Sequence, residues 1–253
     1  MENSNESPKM TPVMGSAKTM PGVMELISQS KEIVMKRASL FFIIVALPAV
    51  LTFIGQLVFV YSPLLAIVSM ILMIAGWVVG IFSAIALIKS LSDESIKDWK
   101  EAYGKAKGLF WQFIWAAILV AIVISIGFIL LIIPGIYLAV AFGFYLFALV
   151  LDGARGWDTA KKSKELVKGY WWAVFGRWLA FGIIIGLIAM VIGGVVAAIG
   201  SQLIMLVTNA LIGIVLTPFA VAYSYLMYKS LKELKKDAPK ASKPEAEPKP
   251  ASA

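Results

Sequence analysis

The sequence predicts an all-α integral membrane protein: six transmembrane helices as three hairpins, each preceded by a cytoplasmic amphipathic helix. Three observations predict it. The chain is 60% hydrophobic and only 15% charged, a balance outside the range of soluble domains. No Asp, Glu, Lys or Arg occurs from Ala38 to Ile88, from Gly108 to Leu151, or from Trp178 to Tyr228. Each gap is wide enough for two helices of roughly 20 residues, the length that matches about 30 Å of hydrocarbon, and each has turn-forming residues near its middle.

Taken in order, residues 1–20 carry Glu2, Glu6, Lys9 and Lys18 among Ser, Asn and Pro, the composition of a disordered tail and not the plan of a signal peptide. A first amphipathic segment starts at Pro21 and carries Val23, Ile27 and Val34. Spans Ser39 to Tyr61 and Pro63 to Ile88 follow, separated by Tyr61-Ser62-Pro63. Ser92, Asp93 and Ser95 offer N-caps to a second segment with Ile96, Trp99, Tyr103, Ala106 and Phe110 at spacings of three and four. The next spans are Leu109 to Ile133 and Gly135 to Leu151, turned at Ile133-Pro134-Gly135, the second of them the shortest of all. A third segment begins near Asp158 and carries Ala160, Val167 and Trp171, leading to spans Trp178 to Ile199 and Gln202 to Tyr228 around Gly200-Ser201-Gln202. Residues 235–253, rich in Lys, Pro, Ala and Glu, read as a disordered basic tail. Barrel strands alternate apolar and polar residues, whereas Ile183-Ile184-Ile185 is apolar on every side.

Because the hairpin tips at Ser62, Gly135 and Ser201 carry no charge, all 23 Lys and Arg fall on one side. The positive-inside rule makes that side cytoplasmic, with both termini there. The net charge of +8 then describes one face, and the partners expected of it are anionic lipid headgroups. Nucleic acid is not expected, since the basic residues are split among four segments and interleaved with 15 acidic ones. Cysteine and histidine are absent, which removes thiolate and imidazole chemistry; no cofactor or metal site is read, and no catalytic reaction is identified.

Ser30-Lys31-Glu32-Ile33-Val34 is echoed by Ser163-Lys164-Glu165-Leu166-Val167, and Lys107-Gly108 running to Trp111 by Lys168-Gly169 running to Trp172. The echoes divide the membrane domain, residues 21–234, into three units over about 21–91, 92–151 and 152–234. The stretch from Ile132-Ile133-Pro134-Gly135-Ile136-Tyr137-Leu138 through Asp152-Gly153, Ala160, Ser163, Leu166-Val167-Lys168-Gly169 and Trp171-Trp172 to Phe175-Gly176 resembles a broad family. It comprises the membrane domain attached to some glycerophosphodiester phosphodiesterases and related uncharacterised prokaryotic six-span proteins. The resemblance implies a six-helix fold in a prokaryotic cytoplasmic membrane. The phosphodiesterase chemistry is not implied, since in those enzymes it belongs to a separate soluble barrel with histidines. Where a polar residue often follows the Pro-Gly-Ile-Tyr segment, this chain has Ala139, Val140 and Ala141.

Within the spans the polar residues are uncharged: Thr52, Gln56, Ser69, Ser83, Gln112, Ser125, Thr208, Asn209, Thr217 and Ser224. Such residues serve as interhelical hydrogen bonds, with a pathway lined by Gln56, Thr208 and Asn209 as the sharper alternative. Gly182, Gly186, Ala189, Gly193, Ala197 and Gly200 form a small-residue stripe expected to pack within the bundle, with Gly76 and Gly80 a shorter one. Pro134 and Gly135 mark the middle turn, and Asp152 and Arg177, at the ends of consecutive spans, are expected to pair. The function expected is that of a non-catalytic membrane component that organises lipid or assists a protein partner. The alternatives are a passive channel or carrier for a neutral solute and a lipid-acting membrane enzyme.

Overall fold

A computed structural model of the chain describes residues 19–237, and among these it contains ten α-helices and no strand. In order they are α1 (Val23–Lys36), α2 (Ala38–Tyr61), α3 (Ala66–Ser92), α4 (Trp99–Ala106), α5 (Phe110–Leu130), α6 (Ile132–Phe142), α7 (Tyr145–Asp152), α8 (Trp157–Val167), α9 (Trp171–Ile199) and α10 (Gln202–Asp237). Six helical stretches are long and apolar enough to cross a membrane: Ala38–Tyr61, Pro63–Ser92, Trp99–Leu130, Ile132–Asp152, Trp171–Ile199 and Gln202–Asp237. The expected tails lie outside the described residues except for residues 19–20 and 235–237, the latter continuing α10 through Lys235 and Lys236 to Asp237.

The boundaries differ from the sequence reading where backbone geometry and charge part company. The middle turn falls at Leu131, which is extended, and Pro134 sits inside the first turn of α6. The first turn of a helix leaves its N–H groups unpaired, so a residue without one is tolerated there. α9 starts at Trp171 rather than Trp178, since a helix runs through Arg177 as readily as through any good helix former. The capping residues proposed for the second amphipathic segment serve elsewhere. Ser92 ends α3, and the Asp93 carboxylate accepts from the Ser95 amide at 3.0 Å and hydroxyl at 2.5 Å, closing a turn before α4.

α2 and α3 are in close contact along their length. Ser83 Oγ donates to Ile44 O at 2.7 Å and Ser69 Oγ to Gly55 O at 2.8 Å, so small polar groups join the two helices without burying an unpaired hydroxyl. The core lies at the basic end. α3 buries Ile81 and most of Ile85 to Leu91, α10 buries Tyr223, Met227, Tyr228 and Leu231, and α2 buries Leu40, Phe41, Ile44 and Val45. Onto these pack α1, through Leu26, Ser30 and Val34, and α4, through Ala102 and Ala106, each with its charged residues on the opposite face. Arg37, between α1 and α2, donates to the carbonyls of Ser90 and Ile96 and so fastens the end of α3 to the turn before α4.

The fourth apolar stretch is two helices. α6 ends at Phe142 and α7 begins at Tyr145, with Gly143 and Phe144 between them. Trp171 of α9 touches Tyr137, and Trp178 touches Gly143 and Phe144. The contacts advance in the same direction along both helices, so α6 and α9 are not the antiparallel neighbours that a simple up-and-down order makes of consecutive spans.

Candidate functional site

Charged and aromatic residues gather around α8. Its short apolar face, Ala160, Ser163 and Val167, is buried, while Lys161, Lys162, Lys164 and Glu165 are exposed. Ser163 fixes its position: the hydroxyl donates to Ala141 O at 2.8 Å and accepts from Phe144 N–H at 3.0 Å, capping the break between α6 and α7. Ser30, its counterpart in the first echo, is likewise buried and donates to Ile27 O at 2.8 Å. Two glycines shape the entry and exit. Gly153 (φ 64°) ends α7 and Gly169 (φ 88°) turns the chain from α8 into α9, both in left-handed backbone that favours glycine.

On one side of α8 lies a hollow of about 380 Å³ lined by Lys161, Lys164, Lys168 and one acidic residue, Glu165, with Tyr137 and Trp171 as its aromatic wall. The two rings stack with centroids 5.7 Å apart, and Trp171 Nε1 donates to Tyr137 O at 3.1 Å, so the wall is held by a hydrogen bond as well as by contact. Lys161 pairs with Asp158 at 3.4 Å in solvent. Among the described residues, the ammonium groups of Lys164 and Lys168 have no such partner. Their spacings from Lys161 of three and seven put all three on one helical face. Trp111, Trp115 and Trp172 stand exposed around this end of the molecule, as tryptophans do at a membrane interface.

On the other side a hollow of about 330 Å³ is lined by Asp152, Lys162, Tyr228, Lys232, Lys235 and Lys236, among others. Asp152 is spoken for: its carboxylate accepts from Tyr228 Oη at 2.5 Å and from Lys232 Nζ at 2.6 Å. Comparison with protein-family models, with curated proteins and with solved structures finds no match. The site is therefore read from its own residues.

The expected Asp152–Arg177 pair does not form. Arg177 donates from Nε to Pro21 O and from Nη2 to Met20 O, both at 2.7 Å, and from Nη1 to Ala173 O at 3.0 Å, tying the segment before α1 to α9. Lys232, one turn beyond Tyr228, reaches Asp152 instead, because α10 continues well past the apolar stretch. The small stripe is also misplaced as a packing face within the chain. A Cβ added at Gly182, Gly186 or Gly193 would meet nothing within 4 Å, although Ala189 of the same stripe lines a cavity shared with α10. Close approach is made elsewhere. A Cβ at Gly76 would lie 3.0 Å from Thr52 N, and one at Gly127 would lie 3.1 Å from Gly135 Cα. Gln56 lines a cavity between α2 and α3, whereas Thr208 lines another between α9 and α10. Among the described residues no three His, Cys, Asp or Glu side chains are grouped to hold a metal ion.

Proposed function

We propose that this multi-pass protein is a non-catalytic component of a prokaryotic cytoplasmic membrane that gathers anionic phospholipid against its basic, cytoplasmic end. The observation that carries this reading is the hollow beside α8, where the ammonium groups of Lys164 and Lys168 have no ion-pair partner among the described residues and lie next to the Tyr137–Trp171 wall. Lysines over an aromatic floor suit a phosphate whose glycerol and acyl portion continues into the bilayer. In this reading α1, α4 and α8 form a collar in the headgroup layer, one before each pair of apolar helices, and both termini are cytoplasmic. The buried serines at positions 30 and 163 support descent of the units from one duplicated plan. The resemblance to the membrane domain of glycerophosphodiester phosphodiesterase-like proteins supports a lipid-facing scaffold, to which a protein partner would add its own role.

Native mass spectrometry of the detergent-purified chain, titrated with phosphatidylglycerol and with phosphatidylcholine of matched acyl chains, tests the proposal. The expected result is preferential retention of phosphatidylglycerol. Two lysines at about 1 kcal/mol each correspond to roughly a thirtyfold loss of that preference in Lys164→Gln/Lys168→Gln. Lys31→Gln/Lys36→Gln on α1 is expected to keep it. Equal retention of the two lipids by the wild type would defeat the reading.

A passive pathway for a neutral solute is the second reading, and a cavity of about 500 Å³ favours it, lined by Pro48, Thr52, Gly76, Gly80, Ser83 and Thr217 among others. Thr52, Ser83 and Thr217 each donate to a backbone carbonyl, which leaves that cavity with little free polarity. Flux of glycerol-sized solutes into proteoliposomes decides it.

A further inference from the structure

We propose that two copies of this chain pair in the membrane through the outer half of α10, where Asn209 of each copy supplies the hydrogen-bond partner of the other. The pairing goes beyond the lipid-gathering reading and does not depend on it.

The first observation is a polar group where hydrocarbon offers it nothing. Tyr223 Oη donates to Arg177 O at 3.0 Å and the Tyr223 ring stacks on Phe181, which sets Tyr223 at the level of Arg177, the last charge before the apolar run of α9. From Tyr223 back to Asn209 is about 21 Å of helix at about 1.5 Å per residue, so roughly 30 Å of hydrocarbon measured from Arg177 extends about 9 Å past Asn209. The other end agrees. Ser201, in the turn, is about 12 Å of helix away, and Leu203, Ile204, Met205 and Val207 in between are exposed apolar side chains. Asn209 is exposed as well, and among the described residues its carboxamide makes no hydrogen bond. So short a side chain does not reach the headgroups from that depth, and a polar group left unpaired in hydrocarbon is costly.

The second observation is the face on which it stands. Gln202, Leu206, Asn209 and Gly213 follow one another at spacings of four, three and four, a single stripe along α10. From Gln202 to Thr217 this helix buries no residue. Acyl chains suit the leucine and the glycine of the stripe but give the amide no partner. Gly213 is not demanded by its own chain, since a Cβ there would meet nothing within 4 Å; glycine at a contact between membrane helices lets two backbones approach.

Membrane insertion decides how copies meet. All copies share one orientation, so a closed pair has its two-fold axis along the bilayer normal, and a helix beside that axis meets its counterpart in parallel, each residue against the same residue. A carboxamide both donates and accepts, so Asn209 is complementary to itself, as a carboxylate or an ammonium group is not. Alternating spacings of three and four suit parallel helices crossing at about 20°, and one asparagine within such a stripe fixes the register. The residues outside 19–237 are no rival occupant, because they join the bundle at its basic end and carry charges that hydrocarbon excludes.

The chain has no cysteine, so single-cysteine variants report the contact. In vesicles of phosphatidylethanolamine and phosphatidylglycerol, copper phenanthroline is expected to link Leu206→Cys into dimers and to leave Val207→Cys, turned about 100° round the helix, as monomer. Energy transfer between donor- and acceptor-labelled copies of Lys236→Cys, followed as the vesicles are diluted with lipid, reads the strength of the pair. Adding Asn209→Leu is expected to weaken it roughly tenfold, the loss of about one interhelical hydrogen bond, and Asn209→Gln to restore it, which separates pairing from folding. A chain with Asn209 intact that stays monomeric throughout the dilution, Asn209→Leu pairing as tightly as asparagine, or equal cross-linking at positions 206 and 207 overturns the interface.

Discussion

Replacing Gly76 by alanine tests where the helices approach most closely. The added methyl would lie 2.5 Å from Thr52 Cγ2, 3.0 Å from Thr52 N and 3.2 Å from Pro48 O. The Thr52 methyl is not free to swing aside, because its hydroxyl donates to the Pro48 and Ala49 carbonyls at 3.0 and 2.9 Å. The amide and carbonyl contacts belong to the backbone, so relief requires moving α3 away from α2. Overpacking of this kind costs about 1–3 kcal/mol. The intrinsic preference of alanine over glycine in a helix opposes it by at most about 1 kcal/mol, and by less where the separated helices stay helical in the bilayer. A net loss of about 1–2 kcal/mol corresponds to a melting temperature lower by about 2–8 °C for a chain of this size. Gly186→Ala, which meets nothing within 4 Å, incurs no clash and is expected to melt at or slightly above the wild type. Thermal melting of the three proteins in one detergent gives the comparison. Gly76→Ala melting as high as the wild type, or Gly186→Ala falling as far, would refute the packing argument.

Asp152 and Lys232 are expected to couple in a double-mutant cycle by about 1 kcal/mol, the upper end of the range for exposed ion pairs, since the Lys232 side chain is 41% exposed. Asp152→Ala and Arg177→Ala should add within about 0.5 kcal/mol, and coupling between them in detergent melts would restore the pair discarded above. Arg177→Lys is expected to free the carbonyls of Met20 and Pro21, because one ammonium does not reproduce a guanidinium that donates to three carbonyls. Hydrogen exchange should then quicken over the first turns of α1 with little change in α2; unchanged exchange there would count against the tether.

Charge made the architecture legible. The three gaps without Asp, Glu, Lys or Arg delimit the six apolar stretches, and the turns at Ser62 and at Gly200-Ser201 fall where polar and helix-breaking residues coincide. The middle turn falls at Leu131, ahead of the proline that marks it in the sequence, because Pro134 is accommodated within the first turn of a helix. α9 starts at Trp171, ahead of the charge gap that begins at Trp178, because the end of a charge gap is not the end of a helix. Of the site, α8 and its lysines stand in the echoed Ser-Lys-Glu pattern, but the partners of Arg177 are backbone carbonyls, which leave no trace in residue types. The run of glycines and alanines on α9 suggested packing more strongly than the isolated Gly55 and Gly143 did, yet a Cβ at either of those isolated positions would collide with a neighbour. Small residues permit close approach, and the length of the partner helix and its path decide whether it occurs.

The central claim is that every basic segment, and with it the lysine-lined hollow beside α8, faces the cytoplasm. The chain has no cysteine, so each introduced thiol is the sole target of an impermeant maleimide. Labelled in intact cells and again after permeabilisation, Lys97→Cys, Asp158→Cys and Lys236→Cys are expected to react only after permeabilisation, and Ser62→Cys and Ser201→Cys in both conditions. Modification of Asp158→Cys in intact cells would place α8 on the outer face and contradict the account.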